Sequence, residues 1–396
     1  MLGLSQENAM DVMLLVALAG VVVGAMMLVV VAIARGLDKS SAPKAAGETT
    51  GKALAKLAET LAMQTGAADP AKVGKQVQAV LFVVAGLFVL GGVAGFLSEM
   101  GEDAAPVASE INAGALAGTL LSAHDRDPVV LIVPGSGPTD RDGNSPMGVA
   151  TDAYRLLAEA LAEEHIATVR IDKRGMFGSA GAGDPNAVTP ADYVADIHAW
   201  IDAIREARGS DCVFLLGHSE GALMVSLAAE GREDVCGLIL VAGMGRRMGE
   251  VIREQLTANP ANAPLLDQAM AALTELEAGR QVDVSAMHPA LVPLFAPQVQ
   301  DYLIATLNLD PVEAVNRANK ETLIVQGKTD LQVSVEDARL LNRARKTKLQ
   351  LIDGMNHVLK EAPADRAANL ATYLDPTLPL APGLVRRIED FVEDHD

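Results

Sequence analysis

From about Ile111 onward, short unbroken apolar runs alternate with longer stretches in which apolar residues return every three or four positions. The runs Val129-Val-Leu-Ile-Val133, Ala167-Thr-Val-Arg-Ile171, Val213-Phe-Leu-Leu216, Gly237-Leu-Ile-Leu-Val-Ala-Gly243, Thr322-Leu-Ile-Val-Gln-Gly327 and Lys348-Leu-Gln-Leu-Ile-Asp353 read as strands. An earlier strand is expected within residues 113–121. Helices are predicted over 154–163, 191–207, 222–229, 334–343 and 384–393, the second opened by Thr189-Pro190. Strands apolar throughout, separated by helices, belong to a parallel sheet covered on both faces. At Met244 the rhythm stops. Residues 244–319 are helical in pattern and dotted with Pro260, Pro264, Pro289, Pro293 and Pro297. An excursion of this kind between core strands is expected to form a helical cap over the strand ends, where open α/β sheets bind ligands. The core is then 111–243 with 320–396.

The amino-terminal hundred residues follow a different pattern. Val12 to Ala34 is an uncharged run of 23 residues, and Ala79 to Leu97 is a second, of 19. Each is long enough to cross a bilayer as a helix, and neither shows the polar face of an ordinary packed helix. Arg35, Lys39, Lys44, Lys52, Lys56, Lys72 and Lys75 lie between them, whereas no Lys or Arg precedes the first. Positive residues collect on the cytoplasmic side. Residues 1–100 are therefore expected to be a membrane anchor, with helices about 12–34 and 79–97, a cytoplasmic connector and both ends outside. The acidic stretch 101–110 would be a tether. In a bacterial cell this puts the remaining domain on the periplasmic side of the inner membrane. The alternative is a cleaved signal sequence, with Lys72 and Lys75 before the second run and a start at Met63, giving an exported soluble protein.

Charge narrows the partners further. The chain has 396 residues and a net charge of −19, which is unsuited to a phosphate backbone, so no nucleic-acid partner is expected. Two cysteines are too few for a disulfide framework or a multi-cysteine zinc site.

Candidate chemistry centres on Gly217-His-Ser-Glu-Gly221, which ends one predicted strand and opens a helix. A serine on such a turn has an exposed hydroxyl, and Gly217 and Gly221 let the backbone pass where side chains would collide. A serine nucleophile needs a histidine base and an acid to orient it. Of the seven histidines, His357 in Gly354-Met-Asn-His-Val358 follows a sheet strand beyond the serine. Asp330, in Gln326-Gly-Lys-Thr-Asp330, follows the strand before it and is preferred over Asp353, which shares the histidine's loop. The N–H groups of Glu220 and of Ser136, in Pro134-Gly-Ser-Gly-Pro138, would form an oxyanion hole. His218 is expected to be a structural ring in the turn. Asp172-Lys-Arg-Gly175 would be a salt-bridged turn bracing the site.

Together, the motifs at 134–144, 172–175, 217–221, 326–330 and 356–357 resemble the α/β-hydrolase superfamily, in particular bacterial esterases grouped with serine-aminopeptidase-like hydrolases. The resemblance covers roughly 110–396. It implies a mostly parallel sheet flanked by helices, a cap between the sixth and seventh strands, and a carboxylic-ester hydrolase with a Ser219–Asp330–His357 triad. It implies no metal and no organic cofactor. The expected partner is a small or medium acyl ester; a peptidase or acyltransferase would use the same groups, and a non-enzymatic binder on this fold is the further alternative. Asp140-Arg-Asp-Gly-Asn144 echoes a calcium loop, but its glycine is misplaced and no closing glutamate follows. Once the sheet is assumed, Cys212 and Cys236 start strands expected to be neighbours, within reach of a disulfide.

Overall fold

The computed structural model describes residues 105–396. Its centre is an eight-stranded sheet: β1 (Val107–Ala113), β2 (Leu116–Ser122), β3 (Val129–Val133), β4 (Ala167–Ile171), β5 (Val213–His218), β6 (Val235–Val241), β7 (Thr322–Gly327) and β8 (Thr347–Ile352). The spatial order is β1-β2-β4-β3-β5-β6-β7-β8. β1–β2 and β2–β4 are antiparallel, and every other pair is parallel. The strand expected within 113–121 is β2, and β1, which was not expected, precedes it and pairs with it as a hairpin. Gly114, at φ +63°, turns the chain back between β1 and β2, a conformation that costs glycine little.

The unbroken apolar runs reflect burial on both faces. Val129, Leu131 and Val133 face one core, with Val213, Leu215, Leu238 and Leu240. Val130 and Ile132 face the other, with Phe214, Leu216, Ile239 and Val241. The first core is closed by α2 (Pro190–Arg208), through Ile197, Trp200, Ile201 and Ile204, and by α3 (Glu220–Ala228). The second is closed by α1 (Ala153–Glu163), through Tyr154, Leu157 and Leu161, and by the carboxy-terminal helix Leu384–Glu393. Thr189 and Asp192 cap each other's backbone at the start of α2, and Gly209 ends it in the left-handed region.

Between β6 and β7 the chain forms α4 (Met248–Ala258), α5 (Leu266–Glu277), α6 (Val292–Phe295), α7 (Pro297–Thr306) and α8 (Pro311–Ala318). Met248, Val251, Leu273, Leu276, Phe295 and Leu303 give this excursion a core of its own, which also takes in Val333 from beyond β7. α8 differs from its neighbours, because Ala314 and Val315 pack into the first core beside α3. Cys212 and Cys236 are joined by a disulfide, with Cα atoms 5.3 Å apart. It closes a loop of 24 residues, which in chain-entropy terms stabilises the fold by roughly 3 kcal/mol.

Among the described residues, no helix is long and apolar enough to cross a membrane. The spans expected about 12–34 and 79–97 lie outside the described residues.

Candidate active site

β5 ends at His218, α3 starts at Glu220, and Ser219 forms the whole turn between them, with φ 56° and ψ −120°. That backbone region is strained for a residue with a side chain, by about 1–3 kcal/mol, and it leaves Ser219 half-exposed above the sheet. The turn is held by packed backbone. A Cβ on Gly221 would lie 2.7 Å from the Pro134 carbonyl oxygen, and one on Gly217 would lie 2.5 Å from the Ala222 nitrogen. Glu220 is the first residue of α3, so its N–H has no acceptor within the helix. The loop after β3 approaches from the other side, and a Cβ on Gly135 would sit 3.0 Å from Ser219 Cβ. Among the described residues, no hydrogen bond engages the N–H of Ser136, the next residue.

Asp330 follows β7 and His357 follows β8, and the two meet. His357 Nδ1 lies 2.9 Å from Asp330 Oδ2, with both side chains buried. Asp330 Oδ1 accepts the N–H groups of Gln332 (2.7 Å) and Val333 (3.0 Å), and Oδ2 also accepts Gln326 Nε2 (3.1 Å). Burial pushes the Asp330 pKa up, but the attraction of His357 and these hydrogen bonds outweigh it, so the carboxyl sits below its usual range. The carboxylate is therefore ionised at neutral pH. No hydrogen bond joins Ser219 Oγ to His357; such contacts commonly tighten only when substrate binds. Asp353 turns away from this group, exposed and paired with Lys328 at 2.7 Å.

His218 is buried in the turn and ties three loops together. A carbonyl can only accept, so the contact of His218 Nε2 with His357 O (2.8 Å) makes Nε2 the protonated nitrogen. Nδ1 then accepts from the Tyr154 hydroxyl (2.7 Å), which itself accepts the Gly135 N–H (3.4 Å). Burial, reinforced by His357, lowers the His218 pKa from 6.5 to about 3. A base depressed in the folded state costs stability wherever only the unfolded chain binds its proton. The loss therefore begins as pH falls below 6.5 and grows toward pH 3. At pH 5 it should reach about 2 kcal/mol. Urea unfolding at pH 7.5 and 5 is expected to show this decrement in the native chain and to show it removed in His218→Gln.

Salt bridges brace the loop after β4: Asp172 receives the Arg141 guanidinium (2.8 Å), and Arg174 Nε donates to Asp196 (2.9 Å). Asp140 Oδ1 accepts the N–H groups of Asp142 and Asn144, while Asn144 Nδ2 donates to Asp152, so these polar groups are spent on holding their own loop. Among the described residues, one group of potential metal ligands, His124, Asp127 and His165, has atoms within 4.8 Å of one another. His124 and Asp127 precede β3 and His165 precedes β4, at the opposite ends of the parallel strands from Ser219.

A family model described as serine aminopeptidase, S33, matches residues 147–286. Over those residues the chain is similar to that hydrolase family, which points to a hydrolase enzyme. Among solved structures the hydrolase is similar to Est1E from Butyrivibrio proteoclasticus with bound ferulic acid, at 18% identity and TM-score 0.45, over 72% of this chain and 96% of that one. It is similar to the α/β hydrolase GrgF from Penicillium sp. sh18, at 18% identity and TM-score 0.47, over 73% and 98%. It is also similar to the Pyrococcus furiosus esterase Pf2001, at 14% identity and TM-score 0.45, over 73% and 92%. No curated protein matches it by sequence.

Several groups of the hydrolase's site carry no signal in their own sequence neighbourhoods. Tyr154 is one apolar position of a helix. Tyr302, on α7, donates to Glu220 Oε1 at 2.8 Å and so fastens the helical excursion to the residue after the serine. Lys173 stands in the motif at 172–175, but only the fold shows its buried ammonium donating to the Gly135 carbonyl at 2.7 Å.

Proposed function

We propose that this hydrolase is a serine esterase acting through an acyl-enzyme. The reading rests on one arrangement: a strained serine turn between β5 and α3, with a bonded aspartate–histidine pair on the loops after β7 and β8. Ser219 Oγ attacks the ester carbonyl while His357 Nε2 takes its proton. Asp330 accepts the Nδ1–H, fixing the tautomer and stabilising the imidazolium. The N–H groups of Ser136 and Glu220 hold the oxyanion. When the tetrahedral intermediate collapses, the alcohol leaves with the proton from His357. Water then attacks the acyl-Ser219, its proton passing to His357 and on to Ser219 Oγ as the acid departs.

The helices of residues 244–319 cap the site in this reading, with Tyr302 fastened to Glu220. The domain works on the extracytoplasmic face of a membrane, held by helices about 12–34 and 79–97. The length and charge flanks of those runs support this, and a disulfide such as Cys212–Cys236 persists in an oxidising compartment.

A fluorophosphonate probe should label the protein once, on the peptide bearing Ser219, and Ser219→Ala should lose both labelling and turnover of short p-nitrophenyl esters. A fully active Ser219→Ala enzyme overturns the assignment. Turnover of peptide anilides in preference to esters would make it a peptidase.

A further inference from the structure

Lys173, just after β4 and 6% exposed, is a buried amine that the proposed chemistry does not use. Desolvation lowers its pKa, and the Glu220 carboxylate opposes that shift. Its nitrogen lies 5.7 Å from the centre of the Tyr193 ring. Among the described residues its hydrogen-bond acceptor is the Gly135 carbonyl, at 2.7 Å. Burying an ammonium costs several kcal/mol, whereas a methionine of similar length would pack there without that cost. The carbonyl it meets belongs to the peptide that supplies the Ser136 N–H.

We propose that Lys173 is a positioning residue for the oxyanion hole, acting through the Gly135–Ser136 peptide. This proposal rests on the esterase reading above. A trans peptide is planar, and its C=O and N–H point in opposite directions. The strand order sets those directions. β4 and β5 flank β3 on opposite sides, Gly135 follows β3, Lys173 follows β4 and Ser219 follows β5. A carbonyl drawn toward Lys173 leaves the Ser136 N–H facing the Ser219 side. The preceding peptide is pinned independently, because the Gly135 N–H donates to the Tyr154 hydroxyl. The ammonium does more than orient. A charged donor on the carbonyl oxygen polarises the amide and strengthens what its N–H donates. Part of the positive charge of Lys173 thus reaches the developing oxyanion without contact between the two.

The test uses the full chain carrying Lys173→Met, with Lys173→Gln as a second variant that keeps a neutral donor. Methionine should lower kcat for a p-nitrophenyl ester by about 30-fold, less than the 10²–10³-fold typical of deleting an oxyanion donor outright, and leave KM within twofold. Glutamine should recover part of the loss. Two inhibitors separate positioning from general damage. A trifluoromethyl ketone forms a tetrahedral oxyanion on the serine, and its affinity should fall by the same factor as kcat/KM. A secondary alcohol of the same shape, which forms no adduct, should bind as before.

The proposal is overturned if Lys173→Met stays within threefold of the native kcat, or if both inhibitors weaken equally. If methionine prevents folding, the same inhibitor comparison on Lys173→Gln decides. Fluorophosphonate labelling keeps the two claims apart: a native chain that fails to label refutes the esterase reading, whereas labelled, fully active variants refute the positioning role alone.

Discussion

Replacing Asp330 by asparagine is expected to lower kcat for ester hydrolysis by about 10⁴-fold, the scale of a wrong-tautomer change in a Ser-His-Asp site. The reason lies in the four donors around this carboxylate. Oδ1 accepts two backbone N–H groups, so an asparagine must keep its oxygen there. Its NH₂ then stands where Oδ2 stood, facing Gln326 Nε2 and His357 Nδ1. Against His357, donor facing donor is relieved only if the ring moves its proton to Nε2, leaving Nδ1 to accept. The nitrogen that should take the serine proton is then already protonated. Steady-state kinetics with the fold checked by circular dichroism measures the effect. An Asp330→Asn enzyme within tenfold of the native rate would remove Asp330 from the proposed triad. Because the folded-state pKa of Asp330 lies below its ordinary value, its contribution to stability is present above the carboxylate range and is lost as pH falls through the lowered value.

The second large effect concerns backbone. Gly221→Ala is expected to destabilise the domain by about 3 kcal/mol or more. The new methyl group would meet the carbonyl oxygens of Val133 and Pro134. These atoms lie at the end of β3, whose pairing with β5 they would have to disturb. Gly181→Ala is the control, since a Cβ there meets nothing within 4 Å and its φ is not positive. Chemical denaturation should place the control within about 0.5 kcal/mol of the native chain. If Gly221→Ala unfolds at the native midpoint, the contact between α3 and the β3 loop is looser than described.

Much of this molecule is legible in local pattern. Strands with both faces buried need no alternation, so Val129–Val133 and Val213–Leu216 stand out as unbroken runs, and Gly-His-Ser-Glu-Gly marks a turn that few other sequences can make. Asp330 and His357 stand out as candidates too, because each is a titratable residue in a loop that follows a recognisable strand and comes after the serine in the chain. The hairpin at Gly114 was less so. One glycine in a run of small apolar residues fits a continuous strand as well as a reversal, and only the pairing of β1 with β2 separates the two.

The sequence by itself determined where the core strands lie, because burial on both faces leaves unbroken apolar runs, and it places the candidates Ser219, Asp330 and His357 in loops after three of them. The tertiary structure decided what holds them. Tyr154 reaches His218 across 64 residues, His218 reaches the backbone of His357 across 139, and Lys173 reaches Gly135 across 38. Tyr302 closes on Glu220 across 82. Each of these contacts depends on where a side chain ends in space when two elements pack, and no periodicity in the chain records that.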